Sequence, residues 1–299
     1  MPINAPDGGE TVLYFRFLRP LLVGIFFACT AAAYAAPEQS DAHWRLELGL
    51  QSRANPVGLS LVPRLGYRAP ISQSQHLLLR GTYVEMGLDT PLSPASFHPG
   101  AYITIVPIAP IVLNATLRQL RYFGSFGNLT QYLGEDPDWS DDARKRGISD
   151  GDHGTGYQAN VSATLRILLG RFVAMAKYTR SWLGVDIDVG ASWYEPQEDL
   201  LYRRNDSLSM ADATMGGFVM GNPKAEKFLL LAGHWKGQWT EKSDQHRQLA
   251  GGLAIWRPGW WVERQLTFIT LLATYAVDPY RQGGFYYGGV VKINWERLP

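Results

Sequence analysis

The chain has 299 residues, with 28 basic and 27 acidic side chains, a net charge of +1 and a single cysteine. No basic block invites nucleic acid, and Cys29 alone can form neither an internal disulfide nor a thiolate metal site. Mean hydropathy is slightly negative and no run of 18 apolar residues follows the N-terminal region, which excludes a bundle of membrane helices.

Residues 1–35 read as a cleaved secretory signal peptide. Arg16 and Arg19 precede an apolar run from Leu21 to Ala33, and Ala33, Tyr34 and Ala35 form a small-x-small cleavage site. The run is shorter than the roughly 20 apolar residues of a retained anchor. A lipoprotein signal, with Ala28 before Cys29, is disfavoured by Phe26 where such signals carry leucine. The mature chain, residues 36–299, would carry no thiol, which suits an oxidising compartment.

Strands follow in order. Trp44, Leu46, Leu48 and Leu50 alternate with Arg45, Glu47, Gly49 and Gln51, and Ala54 to Pro56 turns the chain. Val57, Leu59, Leu61, Leu65 and Tyr67 then alternate with Gly58, Ser60, Arg64 and Gly66, with Pro63 as a local weakness. A third strand is predicted over Gln75 to Met86, with Arg80 and Thr82 opposite Leu77, Leu79 and Tyr83. A Pro-rich loop from Pro91 to Pro99 leads to a hairpin of Tyr102–Ile108 and Ile111–Tyr122, closed at Ala109 and Pro110. A long polar loop from about Ser125 to Gly154 comes next.

The clearest stretch is Tyr157 to Leu169, where apolar side chains at odd positions alternate with Gln158, Asn160, Ser162, Thr164 and Arg166. Successive strand side chains face opposite ways, so this segment has one oily face and one wet face. Its length exceeds the usual 5 or 6 residues of a globular strand and matches the roughly 9 to 11 residues that cross a bilayer at a tilt. Gly170 and Arg171 turn it into Phe172–Thr179. Gly184 to Asp212 reads as a large external excursion, with a weak strand near Ala213 to Met220. Lys227–Trp239, Gln248–Trp256, Trp261–Val277 and Phe285–Trp295 complete the set.

About twelve strands result, an even number, with every second connection short. The expectation is an all-β fold: a transmembrane, antiparallel, up-and-down β-barrel, with short turns on the periplasmic side and longer loops outside. Trp44, Trp256, Trp260, Trp261 and Trp295 would fall at the periplasmic rim, and Trp182 and Trp239 at the outer one. The rival architecture, an exported soluble β-sandwich, would need shorter strands with buried greasy faces.

The last strand, with Tyr287, Gly289, Val291, Ile293 and Trp295, resembles the C-terminal insertion signal of bacterial outer-membrane barrels, although four residues follow the final aromatic. The chain is thus similar to porin-like outer-membrane barrels of Gram-negative bacteria, at the level of the superfamily. That resemblance implies outer-membrane lipids, lipopolysaccharide and the barrel-assembly machinery as partners. It implies no substrate.

Side-chain parity predicts a wet lumen whose cations outnumber its acids, with Arg64, Arg80, Arg118, Arg166, Lys177 and Lys292 as ligand-binding candidates. A passive channel for small solutes, leaning toward anions, is the leading expectation, against a non-conducting structural or assembly barrel. A third possibility is a lipid or peptide hydrolase at the outer rim. It would use Asp186 and Asp188 with Asp150, Asp152 and His153, a faint echo of omptin proteases; the His-x-Ser-Asn-Gly pattern of outer membrane phospholipase A has no match. The acidic loop with Asp136, Asp138, Asp141 and Asp142 lacks the glycine and closing glutamate of a twelve-residue calcium loop, and no cofactor or metal is expected.

Overall fold

The computed structural model describes residues 41–296 apart from 56, 75, 77, 126–128, 141, 144–152, 187–190, 196, 222–226 and 260–264. The predicted signal peptide, Trp260, Trp261 and Asp188 lie outside the described residues.

In chain order the strands begin with β1 (His43–Ala54), β2 (Gly58–Pro70), β3 (Tyr83–Asp89), β4 (Leu92–Ser93), β5 (Ser96–Phe97) and β6 (Gly100–Ile108). They continue through β7 (Ile111–Phe123), β8 (Thr130–Tyr132), β9 (His153–Leu169), β10 (Phe172–Val185), β11 (Ser192–Glu195) and β12 (Leu200–Arg203). The last are β13 (Ser207–Met220), β14 (Lys227–Thr240), β15 (His246–Pro258), β16 (Leu266–Val277) and β17 (Phe285–Glu296). Twelve of these form one closed antiparallel wall, because β1 pairs with both β2 and β17 and no edge is left unpaired. β4 and β5 continue that wall as a small hairpin between β2 and β7, where the sequence reads as loop.

Alternation decides which way each side chain points. Leu50, Leu61, Leu88, Leu117, Val161, Tyr178, Met215, Leu231 and Leu272 all face outward and are exposed. On the other face of the same strands stand Arg45, Glu47, Arg64, Asn114, Ser162, Thr164 and Lys177, which line the interior. Trp44 against Tyr67, at 5.4 Å between centroids, and Trp256 against Phe268, also at 5.4 Å, mark one rim, while the exposed Trp182 marks the other.

An outward belt of this kind tolerates little charge. Val161 lies mid-strand on β9 and is 51% exposed. Val161→Arg is expected to cost about 2–4 kcal/mol of folding stability in lipid, whereas Thr164→Arg, which points inward, costs far less. Urea titration of refolding into vesicles, followed by gel mobility, measures both; equal losses would contradict the assigned faces.

The third strand departs from expectation. It begins at Tyr83, and residues 78–81 form a turn in which the Thr82 hydroxyl donates to the Leu79 carbonyl at 2.9 Å. Arg80 therefore sits in the connection between β2 and β3, not on the barrel wall. Facing is inverted as well: Tyr83 points inward beneath the Arg68 guanidinium, 4.1 Å from its ring centroid, while Met86 and Leu88 point out. A one-residue shift of register turns every side chain of a strand over.

Candidate functional site

The excursion between β10 and β13 does not stay outside. β11 and β12 pair with each other and with β8 to form a second sheet of three strands, and this sheet folds into the outer mouth of the barrel. The driving force is apolar. Trp193, Leu200 and Tyr202 share one face of the hairpin and pack on Leu120, Leu183, Val185 and Leu208 from the inner wall. Trp193 stacks on Tyr202 with centroids 5.0 Å apart. The opposite face, Tyr194 and Leu201, is covered by Trp139 of the preceding loop. All five of these hairpin side chains are fully buried.

The hairpin tip then crosses the mouth and is held on the far side by charge. Glu198 receives Lys236 at 3.4 Å and the Gln238 amide at 2.9 Å, both from β14. Asp199 takes Arg247 of β15 at 2.8 Å and also pairs with Arg281 from the β16–β17 loop. Asp278 holds Arg247 from its other side at 2.6 Å and accepts the Arg281 backbone N–H at 2.7 Å. Toward β1 and β5, Gln197 meets His98 at 3.1 Å, and the Arg53 guanidinium donates to the Gln197 carbonyl. Asp199 adopts a left-handed backbone, φ 56°, a conformation that Asp tolerates better than most residues and that turns the tip back.

Two arginines and two aspartates, all buried, thus form a neutral cluster. Neutrality is what lets such a group sit away from water. Burial pushes the Glu198 carboxyl up, but Lys236 and Arg53 outweigh it and hold the group below the ordinary carboxylate range. Burial drives the His98 imidazole down to about 4, helped by Arg118 and opposed by Asp89, so it is neutral beside Gln197.

Glu195 is the exception in this latch. Burial raises its carboxyl to about 8, with Glu198 adding to the rise and backbone N–H groups and Arg53 opposing it. Its neighbours are the Glu198 N–H, donating at 2.6 Å, and Tyr122 and Tyr202. The docked hairpin therefore holds a proton that an undocked one releases. Since the docked value lies above the ordinary 4.5, docking weakens as pH rises from about 4.5 to about 8 and is flat on either side. Protease cleavage within the hairpin, measured across that range, is expected to accelerate with pH in the wild type and to lose that rise in Glu195→Gln.

A ring without edges, an apolar band facing out, a water-lined interior and one mouth of long loops together decide the architecture. The chain folds as a twelve-stranded β-barrel of the membrane-spanning type. No family model and no curated protein matches the sequence. Among solved structures the barrel is similar to the beta domain of the Bordetella autotransporter BrkA, with 13% identity over 85% of this chain and 99% of that one, TM-score 0.44. It is also similar to the NanC porin (10%, 84% and 99%, TM-score 0.38) and to OmpT of Vibrio cholerae (6%, 86% and 99%, TM-score 0.38). Overlaps of that quality carry no functional information.

The six ligand-binding candidates separate into three groups in this barrel. Lys292 is neutralised by Glu47 at 2.7 Å and Arg118 by Asp89 at 2.8 Å. Arg80 lies in its turn, away from the strands. Arg64, Arg166 and Lys177 make no ion pair among the described residues: Arg64 lies over the Tyr102 ring at 3.5 Å, and Arg166 donates to the Ala109 carbonyl at 3.1 Å. Lys177 is exposed within the lumen. Parity reasoning missed the acids Glu85, Asp89 and Asp212, so the interior is more balanced than expected. Glu85 pairs with Arg68 at 2.7 Å and with Arg45 at 3.6 Å, and accepts the Tyr102 hydroxyl at 2.7 Å.

Of the rim hydrolase constellation only Asp186 and His153 lie among the described residues. Asp186 lies just beyond β10, exposed, with its backbone N–H donating to the Thr155 carbonyl at 2.9 Å; Asp150, Asp152 and Asp188 lie outside the described residues. In the acidic loop, Asp136 is taken by Arg203 at 2.9 Å and Asp138 accepts the Ser140 N–H at 3.0 Å. Among the described residues no cluster of three or more His, Cys, Asp or Glu is arranged to hold a metal.

Proposed function

We propose that the protein is a gated passive channel of the outer membrane, in which the β11–β12 hairpin is the gate. One observation carries this reading: the hairpin lies inside the mouth and is fixed to the far wall by ion pairs, not by the ladder that closes the barrel. A segment held by a neutral charge cluster can leave as a unit when the cluster is disturbed, and the twelve-stranded wall keeps all of its own hydrogen bonds. Arg64, Arg166 and Lys177, which make no ion pair among the described residues, support a preference for small anions.

Planar-bilayer recording of the refolded mature chain tests it. Short, infrequent openings are expected from the wild type, and sustained, anion-preferring conductance from a variant in which residues 191–205 are replaced by a short Gly-Ser link. A barrel that still passes no current without its hairpin would remove the channel and leave a structural or assembly role.

A further inference from the structure

We infer that the lumen binds an amphiphilic anion, with its apolar part on the β13–β16 wall and its carboxylate at Lys177. This deepens the channel reading by naming the solute class. The inner wall is chemically divided. Along β13 to β16 the inward face carries an apolar band in register: Phe218 pairs with Leu230, Leu230 with Ile255, Ile255 with Ile269 and Leu253 with Leu271, with Arg257, Thr267 and Lys292 below it. Phe218, Phe228 and Leu230 cluster with Leu168 and Val173 at the short-turn end. Across the lumen the mid-height surface is Thr104, Asn114, Thr116, Ser162 and Thr164, with Arg64 among them and Val106 and Val112 nearer the short-turn end.

Leu253, Ile255, Ile269 and Leu271 are only half-buried, so part of each still meets the lumen. Apolar surface left facing water costs about 25 cal/mol per Å². A lumen meant only to hold water gains nothing from such a wall. An acyl or aromatic tail lying on it removes that surface from water. The head group is placed by charge. Lys177 stands on the same face of β10 as Val173, about 13 Å along the strand at 3.3 Å per residue. It is exposed and forms no ion pair among the described residues. Its register partner Asp212 on β13 is the nearest acid along the ladder, and Lys236 follows on β14. The site therefore selects a single compact anionic head joined to a medium-length tail.

The test uses the folded barrel in lipid nanodiscs and octanoate as probe, by equilibrium dialysis with empty nanodiscs as the partition baseline. Saturable octanoate binding is expected, with propionate weaker by at least about tenfold because it lacks the tail. The Leu253→Asn, Leu271→Asn double variant is expected to lose octanoate binding by about tenfold or more. Lys177→Gln weakens octanoate by about tenfold but leaves octanol unchanged, and Asp212→Asn tightens octanoate. Heat-modifiable gel mobility reports folding; if the double variant does not fold, Lys177→Gln and the comparison of octanoate with propionate decide alone. Equal binding of octanoate and propionate, or Lys177→Gln weakening octanol as much as octanoate, would overturn the inference. Octanoate binding by a barrel that conducts in no hairpin state supports this site and removes the channel; conductance without octanoate binding does the reverse.

Discussion

Asp199→Ala is expected to undock the hairpin from the outer mouth. Asp199 is the carboxylate shared by Arg247 and Arg281, and the side chains of all three are almost fully shielded from water. Without it, Asp278 must serve both guanidiniums, and it already holds Arg247 at 2.6 Å. Two like charges would then face each other across the tip with one counter-charge between them. Removing one member of a buried ionic group typically costs about 3–5 kcal/mol, because the remaining charge stays buried and unpaired. Since 1.4 kcal/mol is a factor of ten, docking should weaken by roughly two to three orders of magnitude. The measurement is the open probability in planar bilayers, paired with the rate of protease cleavage within the hairpin. Asp199→Asn retains the shape and one acceptor and should fall between the two. Unchanged gating in Asp199→Ala would mean that the cluster does not hold the tip.

Trp193→Ala removes the apolar anchor and is expected to have a comparable effect by a different route. Trp193 is 1% exposed and stacks on Tyr202 at 5.0 Å, with Tyr122 edge-on at 6.5 Å. The truncation leaves a cavity between hairpin and wall that Leu120, Leu183 and Leu208 cannot fill without moving the barrel strands. Losses of about 3–5 kcal/mol are usual for such a change. The barrel itself should be nearly untouched, because its wall does not depend on the hairpin ladder. Heat-modifiable mobility should therefore match the wild type while hairpin cleavage accelerates. Loss of the folded barrel band would show instead that the hairpin is part of the structural core.

The wall was legible because a barrel writes its two environments into alternate residues. Tyr157 to Leu169 could be read without coordinates, and it lies within β9 as expected. The hairpin was not legible for the same reason. Trp193 and Tyr194, or Leu200, Leu201 and Tyr202, are consecutive bulky side chains in strands of four residues, buried on both faces. Such a segment has no alternation, and its polar neighbours Glu195, Glu198 and Asp199 read as solvated loop. The signal that could have been used was the density of large aromatics inside a stretch too acidic to face lipid. β3 failed differently. Leu79 lies in a turn, and following its parity placed Tyr83 outward and concealed Glu85 and Asp89 from the lumen count. The unforeseen neutralisation of Arg118 by Asp89 and of Arg68 by Glu85 follows from that slip.

The gate and its latch make one claim about position: the mouth is closed when the tip of the hairpin is held near His98. Predicted cleavage leaves a mature chain without cysteine, so Gln197→Cys with His98→Cys, whose native side chains meet at 3.1 Å, gives one addressable pair. Bridging that pair with a short thiol-reactive crosslinker and recording single channels before and after cleavage of the bridge tests it directly. The bridged barrel is predicted to stay shut even at alkaline pH and in the Asp199→Ala background, with openings restored when the bridge is cut. Equal conductance in the bridged and cut states would contradict the gate.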